Sequence, residues 1–285
     1  MKNAKRWKTA LIITLIVVIA CGVLVLKDPL YARARSYVVM KIYTKYEDSK
    51  SLMAKQNIAI TIPGGKSTEE KDWYPFMMIF NDDEGFSKYT GKDLSLSILY
   101  NFGAFSWNTG SSFFFQDDSP YYASFYGGYV IQDKSGTNQF GFTEDGEPDI
   151  KELFQPAEYD YKELVLKSFG SPADKQRMDI LSSEMKQNVD YAGYTGWTQI
   201  DTILLINGPA HKFDGGRRAY IQYGNPLKKT NLENFPLIAS RARVYARYFD
   251  EFNSTIMLYV FTPYADTLEK CDKDILSKTV ISKKS

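Results

Sequence analysis

The sequence predicts an α+β protein, an N-terminal transmembrane helix followed by an extracytoplasmic body built on antiparallel β-sheet with a few flanking helices. Three observations predict it. Residues 9–26, TALIITLIVVIACGVLVL, contain no charged side chain. Several later segments alternate apolar and polar residues, Leu94, Leu96, Ile98, Tyr100 and Phe102 most strictly, as a half-buried strand does. Glycine, proline and asparagine breaks then separate short strand-like runs from Gly196 onward, the punctuation of an antiparallel meander.

The first element is the apolar stretch. As an α-helix rising about 1.5 Å per residue, Thr9–Leu26 reaches roughly 27 Å, close to a bilayer's hydrocarbon core. Its β-branched residues, Ile12, Ile13, Ile16, Val17, Val18 and Ile19, disfavour a helix in water. In lipid, intrahelical bonding is what satisfies the backbone, so that preference is overruled. The expected organisation is a cytoplasmic basic tail over 1–8, an anchor over 9–26, a juxtamembrane connector over 27–55 and a body over 56–285, with a subdivision near 150.

Charge supports this division. Residues 1–47 carry nine Lys/Arg against Asp28 and Glu47, whereas the rest of the chain has a net charge of −6. An acidic body disfavours nonspecific binding to nucleic acid, itself a polyanion, and no nucleic-acid partner is expected. Lys2, Lys5, Arg6 and Lys8 crowd the N-terminal side and predict a cytoplasmic N-terminus with the body outside, although Lys27, Arg33, Arg35 and Lys41 follow the span. Val18-Ile19-Ala20-Cys21 resembles the lipobox of bacterial lipoproteins, which would make Cys21 an acylated residue. Gly22–Leu26 stays apolar where a lipoprotein turns polar, so the uncleaved anchor is expected and the lipoprotein is the alternative. Cys271 is the only thiol beyond the span, which excludes a disulfide within the body and a zinc site built on cysteines.

In the body, Asn57–Ile62, Trp73–Phe80, Leu94–Phe102 and Phe125–Gln132 read as strands, the last closing a hairpin with Gln139–Phe142. The residues from Tyr100 to Tyr129 are dense in aromatic side chains. After the acidic turn at 144–149 the pattern becomes helical over Tyr161–Phe169. Ser171-Pro172-Ala173-Asp174 then caps a second helix, with Met178, Ile180, Leu181 and Met185 as its apolar face. Trp197–Ile206, Arg217–Tyr223, Arg241–Tyr248 and Ser254–Phe261 follow as strands, Arg241–Phe252 also fitting a helix. Asp266–Ser277 gives a final helix with Leu268, Cys271, Ile275 and Leu276 inward. The strand, Thr262-Pro263-Tyr264 and this helix through Val280 resemble the end of small PsbP-like extracytoplasmic domains, a likeness confined to the tail.

No motif for catalysis stands out. His211 is the only histidine and sits in a loop-like Asn207–Lys212 stretch without a nucleophile motif nearby, so it reads as a plain loop residue. Asp82-Asp83-Glu84 and Glu144–Asp149 offer oxygen ligands but lack EF-hand spacing, and read as solvated turns. No metal or other cofactor is expected. Asp117 and Asp118 beside Tyr121 and Tyr122, with Trp107 and Tyr126, form the candidate ligand-binding set. Flat aromatic faces with carboxylates suit carbohydrate, while strand core is the competing reading of the same aromatics. Arg241, Arg243 and Arg247 share a face on a strand, where cross-strand acids would pair with them. The expectation is a noncatalytic, membrane-anchored protein of a bacterial envelope that binds an envelope polymer or a protein partner. The alternative is an envelope carbohydrate-active hydrolase that uses its carboxylates.

Overall fold

The computed structural model describes residues 2–27, 38, 41–64, 77–101, 105, 106, 111, 112, 119–167, 171–208 and 236–284. The expected strand Arg217–Tyr223, most of Trp73–Phe80, and much of the aromatic-dense segment lie outside them.

Helix α1 runs from Lys2 to Lys27. Its side chains are described at Trp7 and over 11–23, and all of these are exposed. Among the described residues no helix is long and apolar enough to cross a membrane. The described apolar run corresponds to about 20 Å of helix, short of a hydrocarbon core of about 30 Å. The span expected over 9–26 is therefore not shown by these residues.

The body is α+β and its sheet is antiparallel. Residues 41–48 are helical, and the short helix α2, Leu52–Lys55, follows with Ser51 as its N-cap. Leu52 and Met53 are buried, so the body's core begins inside the stretch expected as connector. Strand β1, Ile58–Thr61, leads to β2, Met78–Asn81, then helix α3, Asp83–Thr90, and β3, Leu94–Asn101. After the two-residue strands β4, Phe105–Ser106, and β5, Ser111–Ser112, come β6, Phe125–Asp133, and helix α4, Ile150–Tyr159. Strands β7, Met178–Tyr191, β8, Tyr194–Asn207, β9, Leu237–Phe249, and β10, Ser254–Thr262, precede helix α5, Ala265–Asp274, and β11, Val280–Lys283.

Seven strands form one sheet in the order β2-β3-β6-β10-β9-β8-β7, and β1 pairs with β11. Among the described residues every strand pairing is antiparallel. The sheet draws strands from both sides of residue 150, joined where β6 pairs with β10. Side chains alternate across it. Leu96, Ile98, Tyr129, Ile200, Val244 and Tyr259 face α4 and the turns that follow it. Val130, Trp197, Tyr245, Ile256 and Leu258 face α2, α5 and the β1–β11 pair. Because β10 is covered on both faces, all nine of its residues are buried, and its sequence reads as a continuous apolar run rather than an alternation.

One glycine is required by close approach. A Cβ at Gly127 would stand 1.8 Å from the Leu99 carbonyl oxygen on the neighbouring strand, so only hydrogen fits there.

Four expectations are corrected. The helix expected from Met178 is strand β7, and only Ala173–Lys175 makes a single 3-10 turn. The ladder with β8 decides this, closed by a turn in which Ala192 and Gly193 both have positive φ, 48° and 79°, the geometry that matches strand twist in a two-residue hairpin. Gln139–Phe142 is not a strand partner for β6, whose neighbours are β3 and β10; Phe142 makes only an isolated bridge to Pro148. The helix expected over Tyr161–Phe169 begins earlier, at the Asp149 cap. It changes from α to π geometry at Asp160–Leu166, just after Pro156 removes one backbone donor. Asp82-Asp83-Glu84 is not a solvated turn but the capped start of α3, where the Asp82 carboxylate accepts from the Gly85 N–H at 3.0 Å.

Candidate functional site

Trp107, Asp117, Asp118 and His211 lie outside the described residues. Tyr121, Tyr122 and Tyr126 are 7%, 6% and 0% exposed. The Tyr126 hydroxyl donates to the Pro63 carbonyl at 3.3 Å, and the Tyr121 hydroxyl accepts from Lys270 Nζ at 3.5 Å. These three rings are inside the fold.

The acidic clusters are used locally. The Asp82 carboxylate accepts the Tyr159 hydroxyl at 2.5 Å, and Asp83 accepts the Leu96 N–H at 2.9 Å and the Ser95 hydroxyl at 3.3 Å. Glu147 accepts from Gln187 Nε2 at 2.8 Å. Among the described residues no group of three His, Cys, Asp or Glu side chains is placed to hold a metal ion.

Two of the clefts among the described residues gather charged side chains. An open cleft of about 760 Å³ lies among Lys92, Asp93, Asp133, Asn138 and Glu152. Its most structured carboxylate is turned to the loop itself: Asp133 accepts from Ser135 N, Asn138 N and Asn138 Nδ2 at 3.0, 3.1 and 2.8 Å. Partial burial raises its pKa, and these hydrogen bonds outweigh that and hold it below the ordinary aspartate value.

The smaller cleft, about 370 Å³, lies against the opposite sheet face between β7–β9 and α5, with Glu184, Lys186, Asp201, Arg241, Arg243 and Glu269 in its lining. Here the fold concentrates charge. Arg243 Nε is 2.6 Å from Asp201 Oδ1, the residue directly across the ladder. Its Nη1 is 2.7 Å from Asp272 Oδ2 and 3.1 Å from Glu269 Oε1, both on α5. The cross-strand pairing expected for the arginine series is thus found at Arg243. Asp272 also accepts the Tyr191 hydroxyl at 2.5 Å and the Tyr245 hydroxyl at 3.2 Å. The two tyrosine rings stack with centroids 3.5 Å apart.

The electrostatics follow from this geometry. Burial alone would lower the Arg243 pKa, but the bonds to Asp201 and Asp272 raise it, so the guanidinium stays charged. Burial and then the Asp272 charge push both Tyr191 and Tyr245 well above the ordinary tyrosine range. Asp272 thus accepts from one guanidinium and two hydroxyls, and these three contacts fix its orientation. Around this floor Glu184, Lys186 and Arg241 have no ion-pair partner among the described residues. The arrangement presents both signs of charge on a rigid base, which suits binding of a polar, charged surface more than proton transfer.

Sequence reasoning missed Asp201, Glu269, Asp272 and Tyr191 as members of this group. The acids and the tyrosine are brought to Arg243 from three separate elements. The one sequence signal was the placement of the arginines on a single strand face. No family model matches this chain, and neither the curated proteins nor the solved structures contain a match.

Proposed function

We propose that this protein is a membrane-anchored, noncatalytic binding protein of a bacterial envelope, held by its N-terminal helix with its body outside. The observation that carries the reading is α1 itself. The apolar residues described along it, from Leu11 to Val23, are 49–63% exposed on every side, and a helix apolar all round requires either a protein core or lipid. The backbone is helical through Lys27, and the sequence stays uncharged to Leu26. Lipid is the environment that satisfies that surface. The basic residues ahead of the helix favour a cytoplasmic N-terminus.

The body then acts by binding, through the cleft over β7–β9 and α5, where Arg241, Lys186 and Glu184 stand at the rim of the Arg243 network. A protein partner or a charged envelope polymer fits this mixture of signs. The test is fractionation of the full chain followed by protease treatment of intact protoplasts. The expected result is protein that remains in membranes after salt and alkaline washes, with a body cut from outside. Release of intact protein by salt, or a body protected in intact protoplasts, overturns the proposal.

A further inference from the structure

We propose that two copies of this chain join edge to edge through β7, antiparallel, with Met185 facing Met185 across a two-fold axis and Glu184 of each copy opposite Lys186 of the other. The proposal stands independently of the membrane anchor.

The first observation is the edge. Among the described residues β7 ends the seven-stranded sheet, and residues 181–188 are exposed throughout. An edge strand presents a row of backbone N–H and C=O groups ready to bond another strand. Apolar side chains accompany them: Leu181 is 59% exposed and Met185 38%. The ladder to β8 is regular from Ser182 to Lys186, with bulges on either side. The flat, pairable part of the edge is therefore short and centred near Glu184 and Met185.

The second observation is charge. Glu184 and Lys186 are exposed and have no ion-pair partner among the described residues. Glu184 stands opposite Asp201 on β8, and Asp201 is already held by Arg243. A cation delivered from beyond the edge would relieve two neighbouring carboxylates.

The third is register. In an antiparallel pair related by a two-fold axis, directly opposed residues share a face, so one residue must face its own copy. Centring on Ser183 pairs no charges. Centring on Glu184 sets two carboxylates together, and centring on Lys186 sets two ammonium groups together. Only Met185 at the centre places Glu184 opposite Lys186, and it does so twice. The contact is isologous, so it closes at two copies. Because the axis is perpendicular to the sheet, the two charged clefts come to lie side by side on one face.

The test uses full-length protein in detergent, with Cys21→Ser to remove the exposed thiol. Directly opposed Cβ atoms across such a pair are about 4.5–5.5 Å apart, within reach of oxidative crosslinking after small movements. Met185→Cys is expected to form a disulfide dimer alone. Ser183→Cys is expected to crosslink only when mixed with Gln187→Cys. Glu184→Lys should weaken association roughly tenfold, as two attractive contacts become repulsive, and the charge swap Glu184→Lys with Lys186→Glu should restore it. The swap separates loss of the interface from misfolding. A monomer by light scattering, crosslinking of Ser183→Cys with itself, or failure of the charge swap to restore the dimer overturns the proposal.

Discussion

Arg243 and Asp272 meet across the interface between β9 and α5, Nη1 to Oδ2 at 2.7 Å. This contact ties the C-terminal helix to the sheet more specifically than the apolar side chains around it can. Asp272→Ala should destabilise the protein by about 2–4 kcal/mol, because it strips a part-buried guanidinium and two tyrosine hydroxyls of a shared acceptor. Urea unfolding measures it. Tyr191→Phe should cost less, about 1–2 kcal/mol, since Arg243 then keeps its acid.

Asp133 supplies a pH dependence. Its carboxylate is better stabilised folded than unfolded, so its pKa is lowered from 3.8. The stabilisation is present above the unfolded value and is lost as pH falls through the folded one. Asp133→Asn should therefore be less stable than wild type at neutral pH, with the gap closing as the pH drops below 3.8. Thermal melts across that window test it.

The β7–β8 turn offers a stabilising change. Ala192 has φ of 48°, a conformation that asparagine adopts more readily than alanine. Ala192→Asn before Gly193 creates the favoured two-residue turn and should add about 0.5–1 kcal/mol. An unchanged or lower melting temperature would contradict this.

Gly127→Ala should have the opposite effect. The added methyl would meet the Leu99 carbonyl oxygen at 1.8 Å near one end of the β3–β6 ladder, where Gly127 stands opposite Tyr100. Strand separation or backbone distortion there should cost about 3 kcal/mol or more, read as a large fall in yield or melting temperature.

Anchoring can be tested within α1. Ile16→Asp combined with Ile19→Lys would place two charges at the centre of the apolar run, each costing about 2.5–3.5 kcal/mol in lipid. The body should then appear in the soluble fraction, and full retention in washed membranes would contradict the anchor reading.

Much of the sheet was legible because its strands obey simple rules. Leu94–Tyr100 alternates, and Trp197–Ile206 and Ser254–Phe261 are bounded by turn residues, so their ends agree with β3, β8 and β10 within a few positions. The last helix was legible because Leu268, Cys271 and Ile275 fall on one face and are buried. β7 was not, because Ile180, Leu181 and Met185 sit at helical spacing yet are exposed; residues 181–188 are exposed on both faces of the strand, so no buried face imposes an alternation. Of the expected site, Trp107, Asp117 and Asp118 lie outside the described residues, and what the sequence did not reveal is the burial of its three tyrosines. Tyr121, Tyr122 and Tyr126 are the kind of residue that serves a binding face or a core equally well, and here long-range packing put them inside.

The pairing of β1 with β11 joins residues 58–61 to residues 280–283, and Tyr194 adds a bond to the Ile281 carbonyl at 2.7 Å. β1 has no other strand partner among the described residues. A chain emerging N-terminus first therefore holds that early segment unpaired until residues 280–283 arrive. Intermediates still on the ribosome would expose Ile58 and Ile60 while more than two hundred residues are added, which makes β11 the latch of the fold and the early segment a natural client for chaperones.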